Sequence, residues 1–392
     1  MTNAVMKTYA PADVVFDKGE GVYLIAEDGK RFLDFGAGVA VTCLGHAHPH
    51  LVSALTEQVS KLWHCSNLYR IKGQERFARR LADNTFGDVV FSCNSGAEAN
   101  ECAIKIARKY FASKGSKRYR ILTFAGAFHG RTMATLSAGK QAKHCEGFGP
   151  MLEGFDQVAF NDLAGAAAAI TEETAAIHVE PVQGEGGMRP GDIAFLQGLR
   201  KLCDEHGILL MMDEVQTGVG RTGKLFAHQW ASITPDVMAI AKGIGGGFPV
   251  GACIATTEAA SGMTAGSHGS TYGGNPLAMA ATNAVLDVIL ENGFLDRVAT
   301  MGAYLERRMQ DIVNAYPNVV KGARGLGLMV GFECVVPNTD LVARCFANGL
   351  LAVPAGDNVM RLLPPLIVQE EHIEAAIAII ERSCKEISEK VQ

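Results

Sequence analysis

The sequence predicts an α/β protein with a large domain on a mostly parallel sheet and a smaller α+β domain beside it. Three observations carry this. From about Leu51 to Leu290, helical patterns alternate with short apolar runs, the signature of strand–helix–strand units. The runs Gly207-Ile-Leu-Leu-Met-Met212 and Val237-Met-Ala-Ile-Ala241 are apolar throughout, as strands covered on both faces are. Beyond Pro276 the pattern changes to long helices with few strands between them.

Taken in order, residues 1–50 contain a hairpin-like stretch, Gly21-Val-Tyr-Leu-Ile-Ala-Glu-Asp-Gly29, and are expected to join the smaller domain. Residues 51–285 form the large domain. Within it Ala97 to Ser113 reads as a helix with an apolar face of Ala103, Ile104, Ala107 and Tyr110/Phe111. Ile121 to Phe124 and Ala176 to Val179 read as strands, and Phe195, Leu199, Leu202 and Cys203 mark a helix that Gly207 stops. Residues 286–392 form the small domain, with a helix near Leu295 to Val313, a strand from Leu326 to Glu333, a short helix near Leu341 to Ala347 and a last helix from about Glu370.

Length and composition bound the function. The 392 residues allow two domains and a large core, and 48% hydrophobic with 20% charged residues is ordinary globular content. A net charge of -5 excludes a global basic field that would hold nucleic acid or acidic membranes. No apolar run approaches a membrane span, and Met1 to Pro11 does not resemble a signal peptide. Ten cysteines without a C-x-x-C pair, several inside apolar patterns (Cys93, Cys102, Cys203, Cys253), point to reduced thiols in a cytoplasmic protein.

The chemistry concentrates at the ends of the apolar runs. Asp213 closes one and Lys242 the next, so both face the crevice at the carboxyl ends of parallel strands. Pyridoxal 5'-phosphate needs such a pair: a lysine for the Schiff base and an acid that keeps the pyridine nitrogen protonated. A structural salt bridge at a sheet edge fits the pair equally well. Cys93-Asn-Ser-Gly-Ala-Glu-Ala-Asn100 feeds a helix N-terminus through Ser95 and Gly96, which makes a phosphate cradle or an ordinary N-cap. In Phe128-His-Gly-Arg131 the ring can stack on a pyridine face and Arg131 can grip a carboxylate, although a core Phe and a solvated Arg are commoner. His129 fits a turn as well as a site and carries no expectation. Gln216 can donate to a phenolic oxygen or simply serve a turn. Glu185 has a surface-charge reading, whereas Arg361 sits in an apolar run, where a buried guanidinium needs an anionic partner.

Two further patterns do not lead to sites. Gly218-Val-Gly-Arg-Thr-Gly223 matches a dinucleotide fingerprint, with Asp236 near the acidic position, but it neither follows a strand directly nor opens a helix. His46-Ala-His-Pro-His50 would need an extended strand to align its imidazoles, and Pro49 favours a loop, so no metal is expected.

The ordered set Asp34-Phe-Gly-Ala-Gly-Val-Ala40, Leu44-Gly-His-Ala-His-Pro49, Leu62-Trp-His-Cys-Ser-Asn-Leu-Tyr69, Asn94 to Asn100, Phe128-His-Gly-Arg-Thr132, Asp213 to Gly223, Ala241-Lys-Gly243, Gly269-Ser-Thr-Tyr-Gly-Gly-Asn-Pro276 and Asn358 to Pro365 resembles the class III aminotransferases of pyridoxal-phosphate fold type I. The resemblance covers nearly the whole chain and implies a seven-stranded, mostly parallel sheet in the large domain. By that resemblance Lys242 is the Schiff-base lysine and proton carrier, and Asp213 pairs with the pyridinium. Gln216 meets the phenolic oxygen, Phe128 stacks on the ring, and Ser95, Gly96 and Ala97 hold the phosphate. Thr271 reaches the phosphate of a neighbouring subunit and Ser270 lies near the substrate across the same interface, which implies a homodimer with shared sites.

The resemblance further implies that Arg131 binds the carboxylate of N-acetyl-L-ornithine and Arg361 the α-carboxylate of glutamate. Glu185 pairs with Arg361 while the amine donor is bound. The implied reaction moves the δ-amine of N-acetyl-L-ornithine to 2-oxoglutarate, a step of arginine biosynthesis; some relatives also take N-succinyl-diaminopimelate intermediates of lysine synthesis. Members acting on ornithine carry tyrosine at Val39, which offers no hydrogen bond and so suits an acylated amine. Tyr9 matches a tyrosine of those members, which points the other way. The rivals are other ω-aminotransferases (on succinylornithine, ornithine or 4-aminobutyrate), an aminomutase on the same fold, and a non-catalytic cofactor-binding regulator.

Overall fold

The computed structural model describes residues 4–391; Met1 to Asn3 and Gln392, and with them part of the stretch read for a signal peptide, lie outside the described residues. Its centre is a seven-stranded sheet of β1 (Val89–Cys93), β2 (Arg120–Phe124), β3 (Phe155–Val158), β4 (Thr174–Val179), β5 (Leu209–Asp213), β6 (Val237–Ile240) and β7 (Gly251–Ala255). The spatial order is β1-β7-β6-β5-β4-β2-β3. Only β7 runs antiparallel to its neighbours. Every residue of β4, β5, β6 and β7 is buried, which explains their largely apolar runs, broken by Thr174, His178 and Asp213: helices cover both faces, so no position alternates outward.

The helices follow from their patterns. Gly96–Ser113 starts at Ser95, whose hydroxyl accepts the Glu98 N–H at 3.2 Å, while the Glu98 carboxylate reaches back to Asn94 N at 2.6 Å. This reciprocal arrangement satisfies donors that a helix start leaves free. The expected face, Ala103, Ile104, Ala107 and Phe111, is buried, with Tyr110 half-buried. Ile193–His206 ends at Gly207, whose φ of 60° is a left-handed stop that costs glycine nothing.

Two four-stranded sheets flank the centre, and Val182–Gln183 pairs with Arg189–Pro190 in a small ribbon of its own. Phe16–Glu20, Tyr23–Ala26 and Arg31–Asp34 form an antiparallel meander whose last strand pairs in parallel with Leu350–Leu351. The stretch Gly21–Gly29 is thus the middle strand with a turn at each end, rather than one hairpin. The other sheet orders Val320–Leu326, Met329–Cys334, Val359–Leu362 and Val353–Ala355, all antiparallel. The single strand expected over Leu326–Glu333 divides here, because Gly327, at a φ of 61°, turns the chain between Leu326 and Met329. Among the described residues no helix is long and apolar enough to cross a membrane.

Candidate active site

Five strands of the central sheet deliver side chains to one cavity of about 430 Å³ at their carboxyl ends. This is the crevice where α/β sheets bind ligands. Asn94, Ser95, Gly96 and Ala97 follow β1; Phe128, His129 and Arg131 follow β2; Glu180 and Glu185 follow β4. Asp213 ends β5, with Gln216 just beyond it, and Lys242 follows β6. Asp213 lies opposite Ala239 in the β5–β6 ladder, so Lys242 emerges close by on the neighbouring strand.

The floor is the Asp213 carboxylate. Its Oδ2 accepts from His129 Nδ1 at 2.7 Å and Asn100 Nδ2 at 2.8 Å, and its Oδ1 from Val215 N at 3.0 Å. Burial opposes its ionisation, but the hydrogen bond and charge of His129 outweigh that and hold the carboxyl below its usual range. The His129 ring packs on His178 at 4.1 Å, and burial, with His129 alongside, pushes the His178 imidazole down to about 3. Glu180 behaves in the opposite way. Burial and then the Asp213 charge raise its carboxyl well above normal, and its Oε1 accepts from Phe128 N at 2.9 Å.

Lys242 begins a 3-10 turn, Lys242–Gly245, with a φ of 49°, a left-handed conformation that a side chain rarely adopts. Burial first, and then the Arg361 charge, bring its ammonium down to about 8. Arg361 comes from the Val359–Leu362 strand of a different sheet. It is 1% exposed, and its Nη1 meets Glu185 Oε1 at 2.9 Å and Gln216 Oε1 at 3.0 Å. Arg131 contrasts with it: exposed, over the Phe128 ring at 5.6 Å, and without an anionic partner among the described residues.

The structure therefore brings together Ser95, Gly96, Ala97, Phe128, Arg131, Glu185, Asp213, Gln216 and Lys242, with Arg361 directly behind Glu185 and Gln216. Ser270 stands one residue outside, its hydroxyl accepting from Asn94 Nδ2 at 3.2 Å. Thr271 is exposed and does not line the cavity of its own chain. His129, Asn100 and Glu180 were missed by sequence reading. His129 and Glu180 each lie just past a parallel strand end, a signal that could have found them; His129 is no mere turn residue. The three histidines of His46–His50 part company: His46 bonds Asp34 at 2.8 Å, His50 bonds Asp287 at 3.0 Å, and His48 precedes the helix Pro49–Val59. In Gly218–Gly223, Arg221 donates to the carbonyls of Leu328 and Pro364, and Asp236 accepts from Leu210 N and Arg200.

The cavity also fits pyridoxal phosphate by its donor set. The backbone N–H groups of Gly96 and Ala97 open a helix of 18 residues and have no partner within it, as a phosphate requires. His129 Nε2 and Asn100 Oδ1 are buried without partners among the described residues, beside an anionic carboxylate and a depressed lysine.

Comparison with known proteins agrees with this geometry. The aminotransferase class-III family model matches residues 4–384, and the chain belongs to that family. It is 58% identical to the acetylornithine aminotransferase of Mesorhizobium japonicum over 390 residues, 99% of this chain and 98% of that protein. Among solved structures it resembles the ornithine aminotransferase of Toxoplasma gondii (TM-score 0.94, 31% identity, 99% of this chain and 94% of that one). It also resembles the N-acetylornithine aminotransferase of Stenotrophomonas maltophilia (TM-score 0.85, 35% identity, 97% and 98%).

Proposed function

We propose that this protein transfers the δ-amine of N-acetyl-L-ornithine to 2-oxoglutarate with pyridoxal 5'-phosphate, giving N-acetyl-L-glutamate 5-semialdehyde and L-glutamate in arginine biosynthesis. The observation that carries this is the asymmetry of the two arginines around Lys242. Arg131 has no anionic partner among the described residues and is ready for a carboxylate, whereas Arg361 is buried and already neutralised by Glu185. One half-reaction needs a neutral stem near Arg361 and the other needs a carboxylate there. A Glu185–Arg361 pair that opens only for the second avoids stranding a buried charge, which would cost about 3–5 kcal/mol. The relative of 58% identity supports the acylated amine, and Val39 in place of tyrosine agrees with it.

When bound, pyridoxal phosphate supplies a protonated pyridine ring that accepts the electron pair left by deprotonation of the amine-bearing carbon. Asp213 holds the proton at the ring nitrogen, and His129 and Asn100 keep its carboxylate anionic and oriented. Lys242, its ammonium brought near neutrality, moves the proton at the substrate carbon. Phe128, whose backbone N–H Glu180 holds, lines the cavity and would pack against the ring. The helix start at Ser95, Gly96 and Ala97 receives the phosphate.

Thr271 and Ser270 serve the site of a second copy in this reading, which makes the working unit a homodimer. An exposed aromatic surface supports it: Trp63, Leu68, Tyr69 and Tyr272 are all more than half exposed, and Asn67 ties their two segments by bonds to the Ser270 and Gly273 carbonyls. The same reading divides the chain into 1–50, 51–285 and 286–392; the pairing of Leu350–Leu351 with Arg31–Asp34 supports joining the first segment to the last. Ten free cysteines, eight of them buried, support a cytoplasmic location.

Single-turnover loss of visible absorbance by the cofactor-loaded protein tests the assignment. N-acetylornithine should act fastest among N-acetylornithine, succinylornithine, ornithine and 4-aminobutyrate, and 2-oxoglutarate should restore the band. A faster reaction with another amine would transfer the protein to another pathway, and turnover without 2-oxoglutarate would indicate an aminomutase. Arg131→Leu should raise the KM for N-acetylornithine by roughly 10- to 100-fold, the worth of a charged hydrogen bond. Glu185→Gln should slow the donor half-reaction while sparing the 2-oxoglutarate half; equal effects on both halves would remove the switch.

A further inference from the structure

Gln216 is clamped by two neighbours that come from different parts of the fold. Arg361 Nη1 donates to its Oε1 at 3.0 Å. A guanidinium only donates, so the carbonyl end of the amide faces Arg361 and the NH2 end turns away. That NH2 end donates to no group among the described residues, and Gln216 lines the cavity. On another side Gly184 lies against the same amide: a Cβ there would sit 2.3 Å from Gln216 Oε1 and 2.6 Å from its Cδ. A larger residue at Gly184 would have to displace the amide that Arg361 holds. At 1% and 7% exposure, Arg361 and Gln216 meet with little competition from water.

We propose that Arg361 is a positioning residue for the cofactor as well as a receptor for carboxylate: by holding Gln216 Oε1 it aims the Gln216 NH2 group at the phenolic oxygen of pyridoxal phosphate. The inference rests on the cofactor reading given above and deepens it. Because the same nitrogen also holds Glu185, exchange of Glu185 for a substrate carboxylate alters the grip on Gln216. Binding of the second substrate is thereby felt at the cofactor before any chemistry. A donor on the phenolic oxygen stabilises its anionic form, so loosening the amide raises the proton affinity of the cofactor–lysine unit. The other charged or titratable groups facing it are Asp213 and Lys242 from β5 and β6, Glu180 and Glu185 after β4, and His129 and Arg131 after β2. None of these is changed in the test variants.

The test reads the wavelength and pH midpoint of the visible band of the loaded protein. Gly184→Ala leaves every charge in place, Arg361→Lys conserves the charge but not the geometry, and Gln216→Leu removes the donor. Each should raise the midpoint by about 0.5 pH unit or more, the scale of one hydrogen bond. The Gly184→Ala/Gln216→Leu pair should shift it no further than Gln216→Leu alone. Glutarate, a dicarboxylate without amine or keto group, should move the wild-type band but not that of Gln216→Leu. If Gln216→Leu moves the band while Arg361→Lys and folded Gly184→Ala leave it unchanged, the amide does not depend on Arg361 and the proposal is overturned. An unmoved band in Gln216→Leu overturns it as well, with the cofactor reading intact. A protein with no visible band after loading loses both. Should Gly184→Ala not fold, Arg361→Lys and the glutarate titration decide.

Discussion

Lys242→Met is expected to have opposite effects on activity and stability. It removes the one lysine lining the cavity among the described residues, and with it the group that moves the substrate proton. The half-reaction with N-acetylornithine should fall by on the order of 10⁴-fold or more, the upper range for one acid–base group, since the covalent anchor goes too. The cofactor-free protein should become more stable. Burial and Arg361 hold the Lys242 ammonium at about 8, below its ordinary value of 10.5. A base depressed on folding penalises the folded state wherever the unfolded chain would hold it protonated. The penalty is complete below about pH 8, fades as pH rises towards the unfolded value and is gone above it. At pH 7 methionine should therefore relieve roughly 3 kcal/mol in the cofactor-free state, and the advantage should vanish near pH 10.5. Denaturant midpoints of both proteins at pH 7 and pH 10 measure it. A less stable variant at pH 7 would mean that Lys242 is better paired than its surroundings imply.

Asp213→Asn should cost on the order of 10²- to 10³-fold in the same half-reaction, comparable to losing one preorganised electrostatic group. The shape is conserved, so the loss isolates the charge. In the wild type three N–H donors converge on the carboxylate, and only an anion accepts all of them and still holds a ring proton. An amide NH2 at either position opposes at least one of these donors. If it replaces Oδ2, His129 must present a bare nitrogen to it. Cofactor affinity should fall along with the rate, which equilibrium dialysis would detect. Unchanged affinity together with an unchanged rate would leave Asp213 as a structural partner of His129 and nothing more.

Legibility differed among these residues for a physical reason. Asp213 and Lys242 end apolar runs, and a polar residue closing a buried strand already has its place: the carboxyl edge of the sheet. Gly96 and Ala97 are likewise placed by the helix they open. His129 was ambiguous because a histidine in a glycine-containing turn is equally at home in solvent. Only the approach of Asp213 and His178 from β5 and β4 makes it a buried donor. Arg361 announced a need for an anion, yet its partners are distant in sequence. Glu185 arrives from the loops after β4, and Gln216 from beyond β5.

By itself the sequence determined the layered α/β architecture, the edge of the sheet that carries the chemistry and the identities of the lysine and the acid. These follow from local patterns: period, strand ends and caps depend on neighbours along the chain. The tertiary structure decided the protonation states and the partnerships. It lowered Lys242 by burial, held Asp213 ionised through His129, raised Glu180, and paired Arg361 with Glu185 while leaving Arg131 without an anionic partner among the described residues. Charge in a low-dielectric cavity depends on which groups converge there, and residues that converge from separate sheets leave no periodic trace along the chain.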